Sequence, residues 1–97
     1  MSDAKQAKRY FVSGIVQGVG FRFFVVHVAE KLHVSGYVRN LADGRVEVFA
    51  MGTPSQLAKL KAALERGPRF SSVTEVREET AHPDPQHEKG FGIDQDA

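Results

Sequence analysis

The run Gly14-Ile-Val-Gln-Gly18-Val-Gly20-Phe-Arg22 carries the most chemistry in this chain. Closely spaced glycines mark a loop whose backbone takes conformations closed to other residues. From Phe21 the pattern turns helical, so the loop opens into a helix N-terminus. Such a terminus presents unsatisfied N–H groups and about half a positive charge, an arrangement that binds anions and phosphate in particular. Arg22 falls in the first helical turn, where a cation is disfavoured by roughly 0.3–1 kcal/mol. A bound anion reverses that sign, with Arg22 and the loop N–H groups gripping it together. The planar guanidinium fork matches phosphate bidentately. The bland alternatives are an Arg22 that points to solvent or pairs with a carboxylate. The run is not a Walker A loop, having no Gly-Lys-Ser/Thr, and Gly18-x-Gly20 lacks the third glycine of the dinucleotide fingerprint.

Other polar residues carry less. His27 reads as a surface or packing residue of the first helix, without an orienting partner in sequence. His82 and His87 flank Asp84, but neither Cys nor a helical i, i+4 pair supports a metal site; a solvated loop is expected. Asp43 serves a turn, and Glu75, Glu78 and Glu79 read as a solvated strand end. No Ser-His-Asp spacing and no paired carboxylates stand out.

The elements that must position these residues follow from patterning. Residues 8–16 are rich in strand formers, Tyr10, Phe11, Val12, Ile15 and Val16. Gly14 allows close packing within that strand. Phe21, Val25, Val28, Ala29 and Leu32 then define one helical face, and the helix is expected to stop near His33. Residues 36–41 and 45–51 read as strands joined at Asp43-Gly44, a strong hairpin signal. Thr53, Pro54 and Gln56 form a capping box with proline where its missing N–H costs nothing. Leu57, Leu60 and Leu64 give the second helix an apolar stripe for the core, ended by Gly67-Pro68. Residues 71–79 read as a fourth strand; Val73 and Val76, three apart, break alternation and point to a bulge. A polar loop over 80–90 precedes a short strand at 91–93. The order is βαββαβ plus a short last strand. It predicts an α+β, ferredoxin-like sandwich: an antiparallel sheet with both helices on one face.

Composition bounds the rest. The chain has 97 residues, 41% hydrophobic and 26% charged, with a formal net charge of +1. One domain over 1–97 is the natural reading, with residues 1–7 as a flexible polar tail. No cysteine is present, which rules out a disulfide scaffold, a thiolate metal site and a cysteine nucleophile. The near-neutral charge gives no electrostatic case for nucleic acid. The longest apolar runs are four residues, against roughly 20 for a spanning helix, and the first residues show no secretory signal. A cytoplasmic monomer, away from membranes, is expected.

The run 14–22 resembles the signature of the acylphosphatase family. Gly36-Tyr-Val-Arg-Asn40-Leu-Ala-Asp-Gly44-Arg-Val-Glu47-Val resembles its second signature, and Gly67-Pro68 also fits. The resemblance covers about residues 8–95. It implies hydrolysis of the carboxyl–phosphate bond of small acyl phosphates, without metal or cofactor. Arg22 matches the family's phosphate-binding arginine. Gln17, Gly18, Val19, Gly20, Phe21 and Arg22 match its backbone phosphate cradle, and Asn40 matches the residue that positions the attacking water. The chemistry suits those roles: the transition state of phosphoryl transfer is loose, so positioning and charge stabilisation dominate. A neutral amide accepts a hydrogen bond from water without repelling phosphate. Taken alone, Asn40 reads as a hairpin residue satisfying local backbone. Three positions depart from the family pattern: Tyr37 for a common Trp, Ala42 for a common Pro, and His33 where Gly is frequent. The last is expected to strain a helix end that needs positive φ, by about 1 kcal/mol.

Two rival functions fit the same fold. One is a non-hydrolytic acyl-phosphate or anion-binding module, since domains of this kind occur within larger carbamoyl-transfer proteins. The other is an RNA-binding module, suggested by Gly18-Val-Gly-Phe-Arg-Phe-Phe24; that motif would have to lie on a central strand to stack bases.

Overall fold

The computed structural model describes residues 4–97. β1 (Gln6–Ile15) leads through a loop to α1 (Phe21–Leu32). Next come β2 (Ser35–Asn40), β3 (Val46–Gly52), α2 (Pro54–Arg66), β4 (Ser72–Ala81), a 3-10 turn (Pro85–His87) and β5 (Phe91–Ile93). This is the βαββαβ order with its short last strand. β1 starts earlier than its apolar pattern indicates. Gln6 and Ala7 pair with Gly52 and Met51, and Ala7 is buried beside Phe49 and Met51, so neither belongs to a tail. Of the expected tail, Met1, Ser2 and Asp3 lie outside the described residues.

The sheet order is β4-β1-β3-β2-β5. The first four strands in that order are antiparallel neighbours, as expected. β5 instead pairs parallel to β2, with Tyr37 opposite Gly92, so the whole sheet is mixed. The cause is topological. β4 finishes at the end of the sheet where β2 begins. The chain crosses that end through residues 82–90 and enters the far edge heading the same way as β2. The opposite end therefore collects the exit of β1, the start of α1, the exit of β2, the end of α2, the start of β4 and residues 94–97.

β3 divides the two faces. Val46, Val48 and Ala50 join Tyr10, Val12, Val38 and the helices in one core, while Phe49 and Met51 belong to a smaller cluster on the other face. Leu57, Leu60 and Leu64 are buried along α2, and Phe21, Val25 and Ala29 along α1. The capping box forms: Gln56 N–H donates to Thr53 Oγ1 at 3.2 Å, and Thr53 N–H to Gln56 Oε1 at 2.8 Å. α1 ends at His33, with φ +60°. His33 N–H donates to Glu30 O and Val34 N–H to Ala29 O, the two bonds of a Schellman end, which demands a left-handed residue between them. The strain expected at His33 is present.

The bulge on β4 also forms. Ser13 pairs with Glu75 but Gly14 with Val73, leaving Thr74 without an opposite residue. A Cβ on Gly14 would run into the Ser72 carbonyl oxygen, so only glycine lets the strands close here. On the outer face, Glu47 is just 4% exposed. It accepts from Arg9 at 3.1 Å, Arg39 at 2.9 Å and the Tyr37 hydroxyl at 2.7 Å. The two arginines and the phenol satisfy a charge that burial alone would make costly. Burial and the bond to Glu47 push the Tyr37 phenol up from its ordinary pKa.

Candidate active site

The glycine-spaced loop caps the exit of β1 at the centre of the sheet. Gly18 (φ +75°) and Gly20 (φ +77°) are both left-handed, and Gly20 is the N-cap of α1. Among the described residues, no side chain caps that helix. With Phe24 N–H donating back to Gly20 O at 3.1 Å, the N–H groups ahead of it stand at the unsatisfied, positive end of the helix. Phe21 is buried beneath this turn and fixes the helix start against the core.

Gln17 ties the loop to the neighbouring hairpin. Its side-chain Nε2 donates to Leu41 O at 2.8 Å and to Arg45 O at 2.9 Å. Those carbonyls belong to the turn that joins β2 to β3, closed by Leu41 N–H on Arg45 O at 2.8 Å. Asp43 serves the same turn, accepting from the Arg45 backbone and guanidinium; the backbone bond chiefly holds its carboxyl below the ordinary range. Gln17 thus binds the hairpin with its side chain, which leaves its main-chain N–H as its contribution to the loop.

Asn40 ends β2, one residue before that turn. Its carbonyl accepts from Ala97 N–H at 2.9 Å. Its Oδ1 is buried and has no hydrogen-bond partner among the described residues. A buried acceptor left unpaired costs free energy, and here it lies on the hairpin that Gln17 joins to the glycine loop.

Arg22 is neither free nor buried. Nη1 lies 3.3 Å from Asp96 Oδ1, with side chains 38% and 63% exposed. Asp96 arrives because residues 94–97 continue beside β2 after β5: Asp94 N–H donates to Val38 O, Ala97 N–H to Asn40 O, and Ala42 N–H to Ala97 O at 2.6 Å. A proline at position 42 would have no N–H to give, so the departure at Ala42 permits that last bond. The carboxylate alternative weighed for Arg22 is thereby realised. An exposed pair of this kind is worth about 0–1 kcal/mol, weak enough for a phosphate dianion to displace.

The structure places His87 and Asp84 away from this end of the sheet. His87 packs against the Tyr37 and Phe49 rings in tilted and edge-on contacts, at 5.0 and 6.0 Å between centroids, on the outer face. Asp84 caps the 3-10 turn through Gln86 N–H. Gly18-Val-Gly-Phe-Arg-Phe-Phe24 lies in the loop and α1, so it offers no strand platform for stacked bases. The side-chain role of Gln17 and the arrival of Asp96 were missed by sequence reasoning. The first had a trace in the pairing of the two signatures; the second had none, because it depends on where β5 docks.

Comparison with known proteins agrees with this geometry. The acylphosphatase family model matches residues 8–93. An acylphosphatase of Koribacter versatilis is 50% identical over 84 residues, covering 87% of this chain and 76% of the relative. One of Solibacter usitatus is 51% identical over 76 residues, covering 78% and 79%. The crystal structure of an acylphosphatase from Bacillus subtilis superposes with a TM-score of 0.85 at 38% identity, covering 93% of this chain and 98% of that one.

Proposed function

This chain belongs to the acylphosphatase family, and from that premise we propose how its residues perform the family's reaction. The chain hydrolyses the carboxyl–phosphate bond of small acyl phosphates to carboxylate and inorganic phosphate. The main-chain N–H groups of Gln17, Gly18, Val19, Gly20, Phe21 and Arg22, with the Arg22 guanidinium, hold the phosphoryl oxygens. Preorganised donors of this kind act where charge develops in the transition state, each worth roughly 2–4 kcal/mol. Binding displaces Asp96 from Arg22.

Asn40 Oδ1 accepts a hydrogen bond from the attacking water and aims its oxygen at phosphorus. A P–O bond to water forms as the P–O bond to the acyl oxygen breaks, and the electron pair leaves with the carboxylate. The water's proton passes to a phosphoryl oxygen, giving dihydrogen phosphate from the dianion. The carboxylate is a good leaving group, so no strong base is needed and positioning supplies most of the rate. The buried, unpartnered Oδ1 of Asn40, on a hairpin bonded to the loop through Gln17, carries this reading. We extend it to a cytoplasmic monomer that needs no metal or cofactor and no nucleic-acid partner. The cysteine-free, near-neutral composition supports that extension.

Asn40→Ala tests it. The expected outcome is a loss of kcat on the order of 100-fold, as for a reactant misplaced by an ångström, with the inhibition constant of inorganic phosphate unchanged. Normal turnover in the variant would remove the water-positioning role.

A further inference from the structure

Resting on the reaction above, we propose that Ile15 and Phe70 form the docking edge for the acyl group, and that the chain prefers acyl phosphates with a large apolar or aromatic acyl moiety. The observation is that both are large apolar side chains standing in solvent, Ile15 63% and Phe70 78% exposed, beside the phosphate cradle. Ile15 is the last residue of β1, immediately before the loop, and pairs with Ser72 at the start of β4. Phe70 lies two residues upstream, in the turn closed by Ser71 N–H on Pro68 O. That turn packs on the cradle's helix: a Cβ on Gly67 would come within 3.4 Å of the Phe21 ring.

The direction of the reaction selects this edge. Attacking and leaving oxygens in phosphoryl transfer lie roughly in line through phosphorus. The sheet order sets β3 and β2 on one side of β1 and β4 on the other. Asn40 ends β2, so water approaches from the β2 side. The leaving acyl oxygen, and the acyl group bonded to it, then point towards the start of β4, which Ile15 at the end of β1 and Phe70 just ahead of β4 flank. Exposed apolar surface next to a polar site is what an apolar substrate tail covers. The cradle itself reads only the phosphoryl group, so selectivity among acyl phosphates falls to this edge.

The test compares kcat/KM for benzoyl phosphate and acetyl phosphate in the native protein, Phe70→Ser and Ile15→Ser. Both positions are exposed, so both variants are expected to fold, as thermal melts would verify. The native chain should favour benzoyl phosphate. Each substitution should lower that preference by about 3- to 10-fold, below the range for one methylene in a closed pocket, leaving acetyl phosphate turnover and phosphate inhibition unchanged. An unchanged preference in both variants would overturn the proposal. Calorimetric binding of benzylphosphonate against methylphosphonate separates it from the hydrolase reading. If neither acyl phosphate is turned over, the hydrolase reading fails, while a benzylphosphonate advantage lost in Phe70→Ser still supports the docking edge. The absence of any such advantage refutes it.

Discussion

The Gln17 side chain joins the two halves of the site, and its removal has consequences of calculable size. Gln17→Ala deletes two neutral hydrogen bonds, at 2.8 and 2.9 Å, to Leu41 O and Arg45 O. Each is worth about 0.5–1.5 kcal/mol net. Neither carbonyl is left bare: Gly44 N–H still donates to Leu41 O and Leu41 N–H to Arg45 O. The penalty for an orphaned acceptor is therefore avoided, and the loss should be about 2 kcal/mol. In a domain of this size that lowers Tm by roughly 10 °C. The kinetic effect should exceed what stability alone explains. The hairpin carrying Asn40 loses its tie to the loop, and displacement of about 1 Å can cost on the order of 100-fold in rate. Urea unfolding gives the stability term, and benzoyl phosphate turnover at a temperature where the variant is fully folded gives the kinetic one. kcat should fall at least tenfold while inorganic phosphate still inhibits at its native concentration, since the main-chain N–H groups remain. Native kcat in folded Gln17→Ala would show that the tie does not hold the site, and the reasoning would fail.

Other perturbations separate the remaining parts. Arg22→Ala should weaken phosphate inhibition and turnover together, by about 30- to 1,000-fold for a loss of 2–4 kcal/mol; a change in only one would contradict the shared grip. Asp96→Asn removes the carboxylate that competes for Arg22 and should tighten phosphate inhibition up to about fivefold, the value of an exposed pair, an effect that fades at high salt. Ala42→Pro, which deletes the N–H bonded to Ala97 O, should act in the same direction; weaker inhibition in both would mean that Asp96 orients Arg22 instead. His33→Gly should stabilise the fold by about 1 kcal/mol, since only the left-handed conformation penalises His33, and differential scanning calorimetry would register it as a rise in Tm. Leu60→Ala, deep in the core, should cost about 2–5 kcal/mol with residual activity per folded molecule unchanged.

Much of this fold was written in local patterns. The capping box at Thr53 depends on neighbours within three residues, so spacing alone exposed it. The spacing of Val73 and Val76 exposed the bulge, although pairing with β1 shapes it, and the left-handed end at His33 was expected from the family resemblance. The direction of β5 did not depend on neighbours. It follows from which end of the sheet β4 leaves, a global property, and hence β5 runs parallel to β2 in a sheet expected to be antiparallel. Glu47 shows the same divide. Its position in a strand was readable, but that it would be buried between Arg9, Arg39 and Tyr37 required knowing which strands flank β3. At the site, the glycine loop and Arg22 stood out in sequence as the proposed cradle, because binding an anion needs contiguous N–H groups. Asn40 was singled out only through the two signatures together, since a hairpin asparagine on its own has a sufficient local explanation. Asp96 was illegible, because nothing in its own neighbourhood says that it will meet Arg22, 74 residues away.

The central claim is that water attacks phosphorus within this cradle. Hydrolysis of benzoyl phosphate in oxygen-18 water, with EDTA present and the products analysed by mass spectrometry, tests it most directly. The account predicts steady turnover with the label in inorganic phosphate and none in benzoate. Label in the benzoate would place the attack at the carbonyl carbon, and loss of turnover on chelation would place a metal in the reaction; either result would contradict the mechanism.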